Sequence, residues 1–175
     1  MRRAAFLDRD GVINRSIVRE GKPYAPTRAD QVELLPGVKE ALVRLHEAGF
    51  FSVVVTNQPD IATGKATRAD VDAIHARMRA ELALDAFYVC PHVDADACDC
   101  RKPKAGMLLQ AAREHDLSLS ESFMVGDRWR DVQAGQVAGC RTVWIDRGYA
   151  EQAAEDADFV TDGLPAAVDW ILKQP

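Results

Sequence analysis

Two aspartates one residue apart, Asp8 and Asp10, directly follow a short apolar stretch that ends at Leu7, and Gly11 comes after them. Residues i and i+2 of an extended chain project to the same side, so both carboxylates can face one ligand. Neighbouring carboxylates bind a cation, share a proton, or divide the roles of nucleophile and general acid/base. Taken alone, the pair is equally compatible with an acidic turn at the end of a strand.

Polar side chains also follow later apolar runs that are typical of strands. They are Thr56 and Asn57, and Asp127 with Asp131 shortly after it. A cation, Lys102, lies nearby in the sequence, close to the start of a helical stretch. Because ligands of open α/β sheets bind beyond the carboxyl ends of the strands, we expect these groups to converge with the first aspartate pair. Carboxylate, hydroxyl and amide oxygens suit Mg²⁺. Cations and hydrogen-bond donors suit a phosphoryl group.

The elements that must position these residues alternate between strand and helix. Apolar residues recur at helical spacing in five stretches, and β-rich runs precede or separate them, the last of them at 159–160. Continuous apolar runs such as 50–55 are typical of strands that are covered on both faces. The pattern predicts an α/β fold, a three-layer Rossmann-like parallel sheet with helices on both faces. Residues 15–35 show no sustained period and are predicted to be irregular.

Length and composition favour one domain, residues 1–175, with a sizeable core. The chain is 47% apolar and 28% charged, and its 22 basic and 27 acidic residues give a formal net charge of −5. No basic run indicates a nucleic-acid partner, and no apolar run approaches the roughly 20 residues that span a membrane. We expect no signal peptide and a cytoplasmic location, in which thiols stay reduced.

A second cluster could hold a different metal. It consists of Cys90, His92, Cys98 and Cys100, which lie within eleven positions. Three Cys and one His form a preferred tetrahedral zinc set, and four protein ligands would make the zinc structural. The spacing differs from the usual finger patterns, and chance grouping is the alternative. Because the loop is rich in aspartate and poor in apolar residues, we predict a zinc-binding loop at 90–100. Cys140 is predicted to be a buried core thiol.

The polar clusters resemble, in order, the four motifs of the haloacid dehalogenase-like phosphatases. The matching residues are Asp8-Arg9-Asp10-Gly11-Val12, Thr56-Asn57, Lys102, and Gly126-Asp127 followed by Asp131. The resemblance covers nearly the whole chain and is looser after about Tyr149. It implies that Asp8 is the nucleophile that forms an aspartyl-phosphate, and that Asp10 is the general acid/base. It also implies Mg²⁺ on Asp8, on the main-chain carbonyl of Asp10 and on Asp127.

The resemblance assigns roles to the remaining motif residues as well. Thr56 and Asn57 would orient phosphate and substrate, and Lys102 would balance the charge on the nucleophile and the phosphoryl oxygens. Asp131 would be either a partner of these groups or a water-mediated metal contact. The dehalogenases of the family lack the second aspartate and its P-type pumps carry threonine there, so Asp10 favours a phosphatase. Only about 45 residues separate Asn57 from Lys102, which predicts an enzyme without a large cap domain.

The cysteine loop, which runs directly into Arg101-Lys102, is similar to two capless subgroups of the family. One acts on D-glycero-D-manno-heptose 1,7-bisphosphate and the other on histidinol phosphate, and in both the arginine before the motif lysine contacts substrate, which implies that role for Arg101. Segments 61–67 and 100–109 favour the heptose group, whereas the short gap before Cys98 and Pro59-Asp60 favour the histidinol group.

We therefore expect a monomeric, magnesium-dependent phosphatase that acts on a small phosphate ester. The favoured substrate is the heptose 1,7-bisphosphate, from which the phosphate at C7 would be removed. Histidinol phosphate as substrate, and a non-enzymatic zinc-binding interaction module, are the alternatives. Lys65 could reach a second phosphate or stay solvated, and Trp129 and Arg130 could line the site or pack on their helix. The histidine at position 75, His75, lies on a helical stretch away from the strand ends and is predicted to be at the surface or half-buried.

Overall fold

A computed structural model describes all residues, 1–175, of the chain. The strands are β1 (Ala4–Leu7), β2 (Ile17–Arg19), β3 (Lys22–Tyr24), β4 (Phe51–Asn57), β5 (Ala86–Cys90), β6 (Phe123–Gly126), β7 (Arg141–Ile145) and β8 (Phe159–Thr161). The helices are α1 (Val38–Glu47), α2 (Arg68–Glu81), α3 (Gly106–His115), α4 (Trp129–Ala138) and α5 (Leu164–Ile171). The predicted alternation of strands and helices, including a sixth sheet strand near 159–160, is confirmed.

Six strands form one parallel sheet in the order β5-β4-β1-β6-β7-β8. After β1, the chain adds two strands on one side and then returns to add three on the other side. The order of the strands therefore reverses at β1, and the loops after β1, β4 and β6 diverge there. A reversal of this kind opens a crevice beyond the carboxyl ends of the strands, where ligands of open α/β sheets bind.

Helices cover both faces of the sheet, as the sequence predicts. One core contains side chains of α1, α2 and α5, and the other contains side chains of α3 and α4. Strand β1 contributes to both, because Ala5 and Leu7 belong to the first core while Ala4 and Phe6 belong to the second. The central strand is thus fully buried on both faces, which fixes the position of the loop that leaves it.

The chain region 15–35 differs from the sequence prediction. Strands β2 and β3 form an antiparallel hairpin there, with Ile17 opposite Tyr24, and a short 3₁₀ turn follows at 29–31. Strands of three residues are too short to show an alternation, and Pro23 inside one of them reads as a loop signal. The hairpin turn uses positive φ at Glu20 and Gly21. This hairpin is the only insertion with strands of its own, and no helix is long and apolar enough to cross a membrane.

Candidate active site

The ammonium group of Lys102 lies at the centre of the strand-end clusters. Its Nζ lies 2.9 Å from Asp8 Oδ1 and 2.6 Å from Asp131 Oδ1, and it donates a hydrogen bond of 2.8 Å to the carbonyl of Val55. All three charged residues are buried. Burial opposes the charged form of Lys102, but Asp131 and Asp8 outweigh that effect and hold its pKa above the usual range.

Three buried carboxylates share this one ammonium group. Ligand oxygens of Asp8, Asp127 and Asp131 all lie within 4.8 Å of one another. Burial raises the pKa of Asp8 to about 6 even though Lys102 lowers it. Burial, together with the charge of Asp8, also raises the pKa of Asp127, and Asp127 Oδ1 is buried without a hydrogen-bond partner. Excess negative charge and an unpaired carboxylate oxygen are the features that a divalent cation with oxygen ligands would satisfy.

A glycine at the end of β6 allows this close approach. A Cβ atom on Gly126 would lie 2.0 Å from the Cβ atom of Asp131, which is closer than atoms can pack. Asp131 also accepts a hydrogen bond from the backbone N–H of Arg128 at 3.0 Å. The carboxylate therefore caps the first turn of α4 with one oxygen and faces Lys102 with the other.

Asp10 has different surroundings from Asp8. Arg9 forms a bidentate ion pair with its carboxylate, and Asn14 and Gln58 donate hydrogen bonds of 3.0 and 2.8 Å to it. Arg9 is fully buried, and its Nη1 lies 3.3 Å from His75 Nε2. The Asp10 side chain does not belong to the cluster of three carboxylates around Lys102. The two aspartates of the first motif can therefore carry different roles.

Thr56, Asn57 and Gln58, at the end of β4, form hydrogen bonds that connect the residues of the site. Thr56 is buried, and its hydroxyl accepts a hydrogen bond of 2.8 Å from Gln58, so Gln58 links Thr56 to Asp10. The Asn57 side chain donates to the carbonyl of Lys102 and accepts from its N–H, at 3.1 Å each. Asn57 thus fixes the backbone that carries the buried lysine. It also lines the cleft, whereas Thr56 and Gln58 do not.

Arg101 is held outside the cleft. Its Nε donates to Asp94 at 2.7 Å and its Nη1 to the carbonyl of His92 at 3.1 Å, so its guanidinium group binds the cysteine loop. Arg130, at the start of α4, pairs with both oxygens of Asp94 at 3.1 Å and does line the cleft. Of the two arginines only Arg130 lines the cleft, and Asp94 joins them. The contact of Arg101 with substrate stays a prediction.

A cleft of about 310 Å³ opens over these groups. Its basic side chains are Lys65, Lys102, Arg128 and Arg130, and its acidic side chains are Asp8, Asp10, Asp60, Asp127 and Asp131. Pro23 and Tyr24 of the hairpin form one wall. A larger groove of about 720 Å³ lies along α3 and α4, but it contains none of the strand-end carboxylates. We place the chemistry in the smaller cleft for that reason.

The four residues of the predicted zinc loop lie together. Sγ of Cys90 lies 3.6 Å from Sγ of Cys98 and 2.9 Å from that of Cys100. Nδ1 of His92 lies 3.6 Å from Sγ of Cys90 and 3.4 Å from Sγ of Cys100. Zinc–sulfur bonds of about 2.3 Å in a tetrahedron place sulfurs about 3.8 Å apart. The donor set therefore fits zinc in kind, and the distances from Cys98 to the other two sulfurs, 3.6 and 3.5 Å, come near this spacing. Cys140 lies apart in the second core, and burial raises the pKa of its thiol to about 12.

Four contributors to the site were not singled out by the sequence. Gln58 and Arg9 adjoin predicted residues, but nothing in a sequence shows that they bind Asp10. The prediction that His75 is at the surface or half-buried is wrong. It is buried against Arg9 and the ring of Phe87, and burial, aided by the charge of Arg9, lowers its pKa to about 4. Tyr149, the fourth, donates to Asp127 Oδ2 at 2.7 Å.

An open parallel sheet with a buried lysine among three carboxylates at the strand ends is a site for phosphoryl chemistry that needs a divalent cation. Comparisons with known proteins agree with this class. A family model described as HAD-hydrolase-like matches residues 99–167. Two curated relatives are named heptose-1,7-bisphosphate 7-phosphatases. That of Thermosynechococcus vestitus is 36% identical over 97% of this chain and 95% of its own length. The Escherichia coli relative is 38% identical over 98% of this chain and 94% of its own length.

A solved structure extends the similarity to the fold. The D,D-heptose 1,7-bisphosphate phosphatase of Bordetella bronchiseptica, complexed with magnesium and phosphate, matches with a TM-score of 0.85 and 32% identity over 99% of both chains. The chain belongs to the haloacid dehalogenase-like hydrolase family, in the branch of phosphatases that these relatives represent. The family, the fold class and the type of enzyme predicted from the sequence are thereby confirmed.

Replacing the buried lysine tests the charge balance of the site. Lys102→Met keeps the length of the side chain but leaves Asp8 and Asp131 buried without a cation. We expect the free energy of unfolding, measured by urea denaturation in magnesium-free buffer, to fall by about 3–5 kcal/mol. Adding Asp131→Asn should restore part of the loss. The control Lys39→Met, at an exposed position without an ion pair, should change it by less than about 0.5 kcal/mol. Equal losses in the two single variants would contradict this account.

Proposed function

We propose that the chain hydrolyses D-glycero-D-manno-heptose 1,7-bisphosphate at C7 in a magnesium-dependent reaction, through an aspartyl-phosphate on Asp8. The observation that carries the proposal is the different environment of the two motif aspartates. Asp8 lies beside the Lys102 ammonium group, whereas Asp10 is held by Arg9, Asn14 and Gln58 outside that cluster. A nucleophile must stay ionised while its neighbour exchanges a proton, and separate surroundings allow both.

The proposed reaction assigns one role to each of these residues. An oxygen of Asp8 attacks phosphorus, the bond between phosphorus and the ester oxygen breaks, and the leaving oxygen takes the proton of Asp10. Asp10, now a carboxylate, then accepts a proton from a water molecule, whose oxygen attacks phosphorus and releases phosphate from Asp8. Lys102 stabilises the negative charge on Asp8 and the phosphoryl oxygens in both steps.

The magnesium site would use Asp8, the main-chain carbonyl of Asp10 and Asp127. The unpaired Oδ1 of Asp127 and the raised pKa of Asp8 and Asp127 support this set, and so does the magnesium in the Bordetella bronchiseptica relative. When bound, the cation would neutralise charge on the phosphoryl group. Asp131 already pairs with Lys102 and the first turn of α4, which favours a supporting role for it.

The substrate rests on charge and on the relatives. Lys65 and Arg130 face the cleft, and Lys65 takes part in no ion pair, so a second anionic group has a partner there. The curated relatives carry the name of this substrate. Asp60, also in the cleft, is the feature that favours histidinol phosphate, which carries an ammonium group. Membership of an enzyme family argues against the non-enzymatic alternative.

Oligomeric state and location stay proposals. We propose a monomer as the active form, as expected at the sequence level. None of the four cysteines forms a disulfide, which agrees with the proposed reducing cytoplasm.

Asp8→Asn tests the nucleophile. Because the amide cannot form the acyl-phosphate, we expect turnover at saturating magnesium to fall by at least about a thousandfold. Near-ultraviolet circular dichroism should show an intact fold. Asp162→Asn is the matched control and should keep full turnover, because Asp162 is exposed and its side chain forms no hydrogen bond or ion pair. Near-full activity of the Asp8 variant would refute the mechanism.

A phosphate-release panel tests the substrate. Both anomers of the heptose bisphosphate, histidinol phosphate and common sugar monophosphates should be compared by kcat/KM, because specificity is the ratio of these values. We expect the bisphosphate to lead, and Lys65→Gln to raise its KM more than that of a monophosphate. Efficiency toward histidinol phosphate at least about tenfold above that toward either anomer would refute the preferred substrate.

The zinc loop supports the site through the backbone of Lys102. We expect about one equivalent of zinc per chain by elemental analysis, held by Cys90, His92, Cys98 and Cys100. Cys98→Ser should lower the zinc content and raise KM more than it destabilises the sheet, because the loop carries Asp94, which binds Arg101 and holds Arg130 at the cleft. Cys140→Ala, outside the cluster, should keep the zinc. A native protein that is free of zinc and fully active would contradict this proposal.

A further inference from the structure

The segment 146–151, which follows β7, returns across the strand-end site. Arg147 Nε donates to the carbonyl of Gly11 at 3.0 Å, and the N–H of Ala150 donates to the carbonyl of Gly21 in the hairpin at 2.8 Å. Glu151 accepts two hydrogen bonds from Arg128 Nε, at 2.9 and 3.1 Å. The segment is thus attached to the first motif loop, to the hairpin and to the start of α4, and no predicted catalytic residue lies in it.

Tyr149, in the middle of this segment, contacts Asp127. Its hydroxyl donates to Asp127 Oδ2 at 2.7 Å, while Asp127 Oδ1 is buried and has no partner. One oxygen is therefore fixed and the other is left for a ligand. Trp144, at the end of β7, donates from its indole nitrogen to the Asp127 carbonyl at 3.2 Å. Both the side chain and the backbone of Asp127 are held by the same stretch of chain.

Gly11 provides the space for this contact. A Cβ atom at that position would lie 1.8 Å from Asp127 Oδ2 and 2.9 Å from the Tyr149 hydroxyl oxygen. The backbone of Gly11 also has φ of +84°, a conformation that favours glycine. The first motif loop therefore leaves room for the hydroxyl–carboxylate pair as well as for the turn of its own chain.

We propose that Tyr149 is a positioning residue for the cation site, because its hydroxyl fixes the Asp127 carboxylate so that Oδ1 faces the divalent cation beside Asp8. The inference rests on the magnesium site of the proposed function. A fixed ligand loses less conformational freedom on binding metal, and partners that orient metal ligands typically contribute about 10–100-fold to metal affinity. Tyr149 does not line the cleft that opens over the carboxylates.

Binding of Mn²⁺ to the zinc-loaded protein, measured from the electron paramagnetic resonance signal of the free ion, tests the inference without turnover. Tyr149→Phe removes only the hydroxyl group, and we expect it to raise the Mn²⁺ Kd by about tenfold or more. Tyr24→Phe is the matched control, because Tyr24 lines the same cleft but has no hydrogen bond to Asp127. Its Kd should match that of the unaltered chain within about twofold.

Turnover separates positioning from a general structural effect. Tyr149→Phe should raise the magnesium concentration at half-maximal activity by the same factor as the Mn²⁺ Kd, and leave kcat at saturating magnesium within about threefold of the unaltered chain. Its melting temperature without divalent cation should change little. An unchanged Mn²⁺ Kd, or equal weakening by Tyr24→Phe, would overturn the inference.

Asp127→Asn identifies the site that the Mn²⁺ signal reports. Loss of binding in this variant, together with weakening by Tyr149→Phe, would support the inference. Mn²⁺ binding that survives Asp127→Asn would overturn it together with the proposed magnesium site. If Tyr149→Phe weakens Mn²⁺ binding but no phosphate ester is hydrolysed, the proposed function fails while the role of Tyr149 stands.

Discussion

The ion cluster around the Lys102 ammonium group is the interaction on which the rest of the structure depends. A buried ammonium group is tolerated only where carboxylates and hydrogen-bond acceptors replace water, and here Asp8, Asp131 and the Val55 carbonyl do so. These partners come from the loop after β1, from the first turn of α4 and from β4, so the pairing fixes three separate parts of the chain. Asn57 adds to this, because its side chain forms hydrogen bonds with both the backbone N–H and the carbonyl of Lys102.

The same cluster leaves charge uncompensated. Three buried carboxylates lie close to one ammonium group, which forms ion pairs with only two of them. Burial, together with the charges of the neighbouring carboxylates, raises the pKa of Asp8 and Asp127. A protein selected for stability alone would not keep this excess, because apolar residues would pack there at lower free-energy cost. Perturbed carboxylates that gather in a cleft are instead typical of functional sites, where a ligand supplies the missing charge.

The sequence indicated where the site lies better than it indicated how each side chain is used. Strand ends of a parallel sheet meet at one edge, so the position of Asp8, Asn57 and Asp127 follows from the order of elements alone. Hydrogen-bond partners do not follow, because they depend on side chains far apart in the chain. Arg101 therefore faces Asp94 and not the cleft, and His75 is buried because Arg9 reaches it. The hairpin at 17–24 was missed because three-residue strands show no period.

The cysteine cluster and the carboxylate cluster lie two positions apart in the chain, at Cys100 and Lys102. The backbone that leaves the cysteine cluster at Cys100 carries Lys102, the ammonium group of the carboxylate cluster, two residues later. Chelators such as EDTA bind zinc and magnesium alike, so both clusters would be exposed to the same reagent. Inactivation by a chelator would therefore not identify which ion this enzyme needs for chemistry. The two causes, a loosened cysteine loop and an empty catalytic centre, would be distinguished by adding back zinc or magnesium alone. Recovery of activity would be measured together with the content of the other ion.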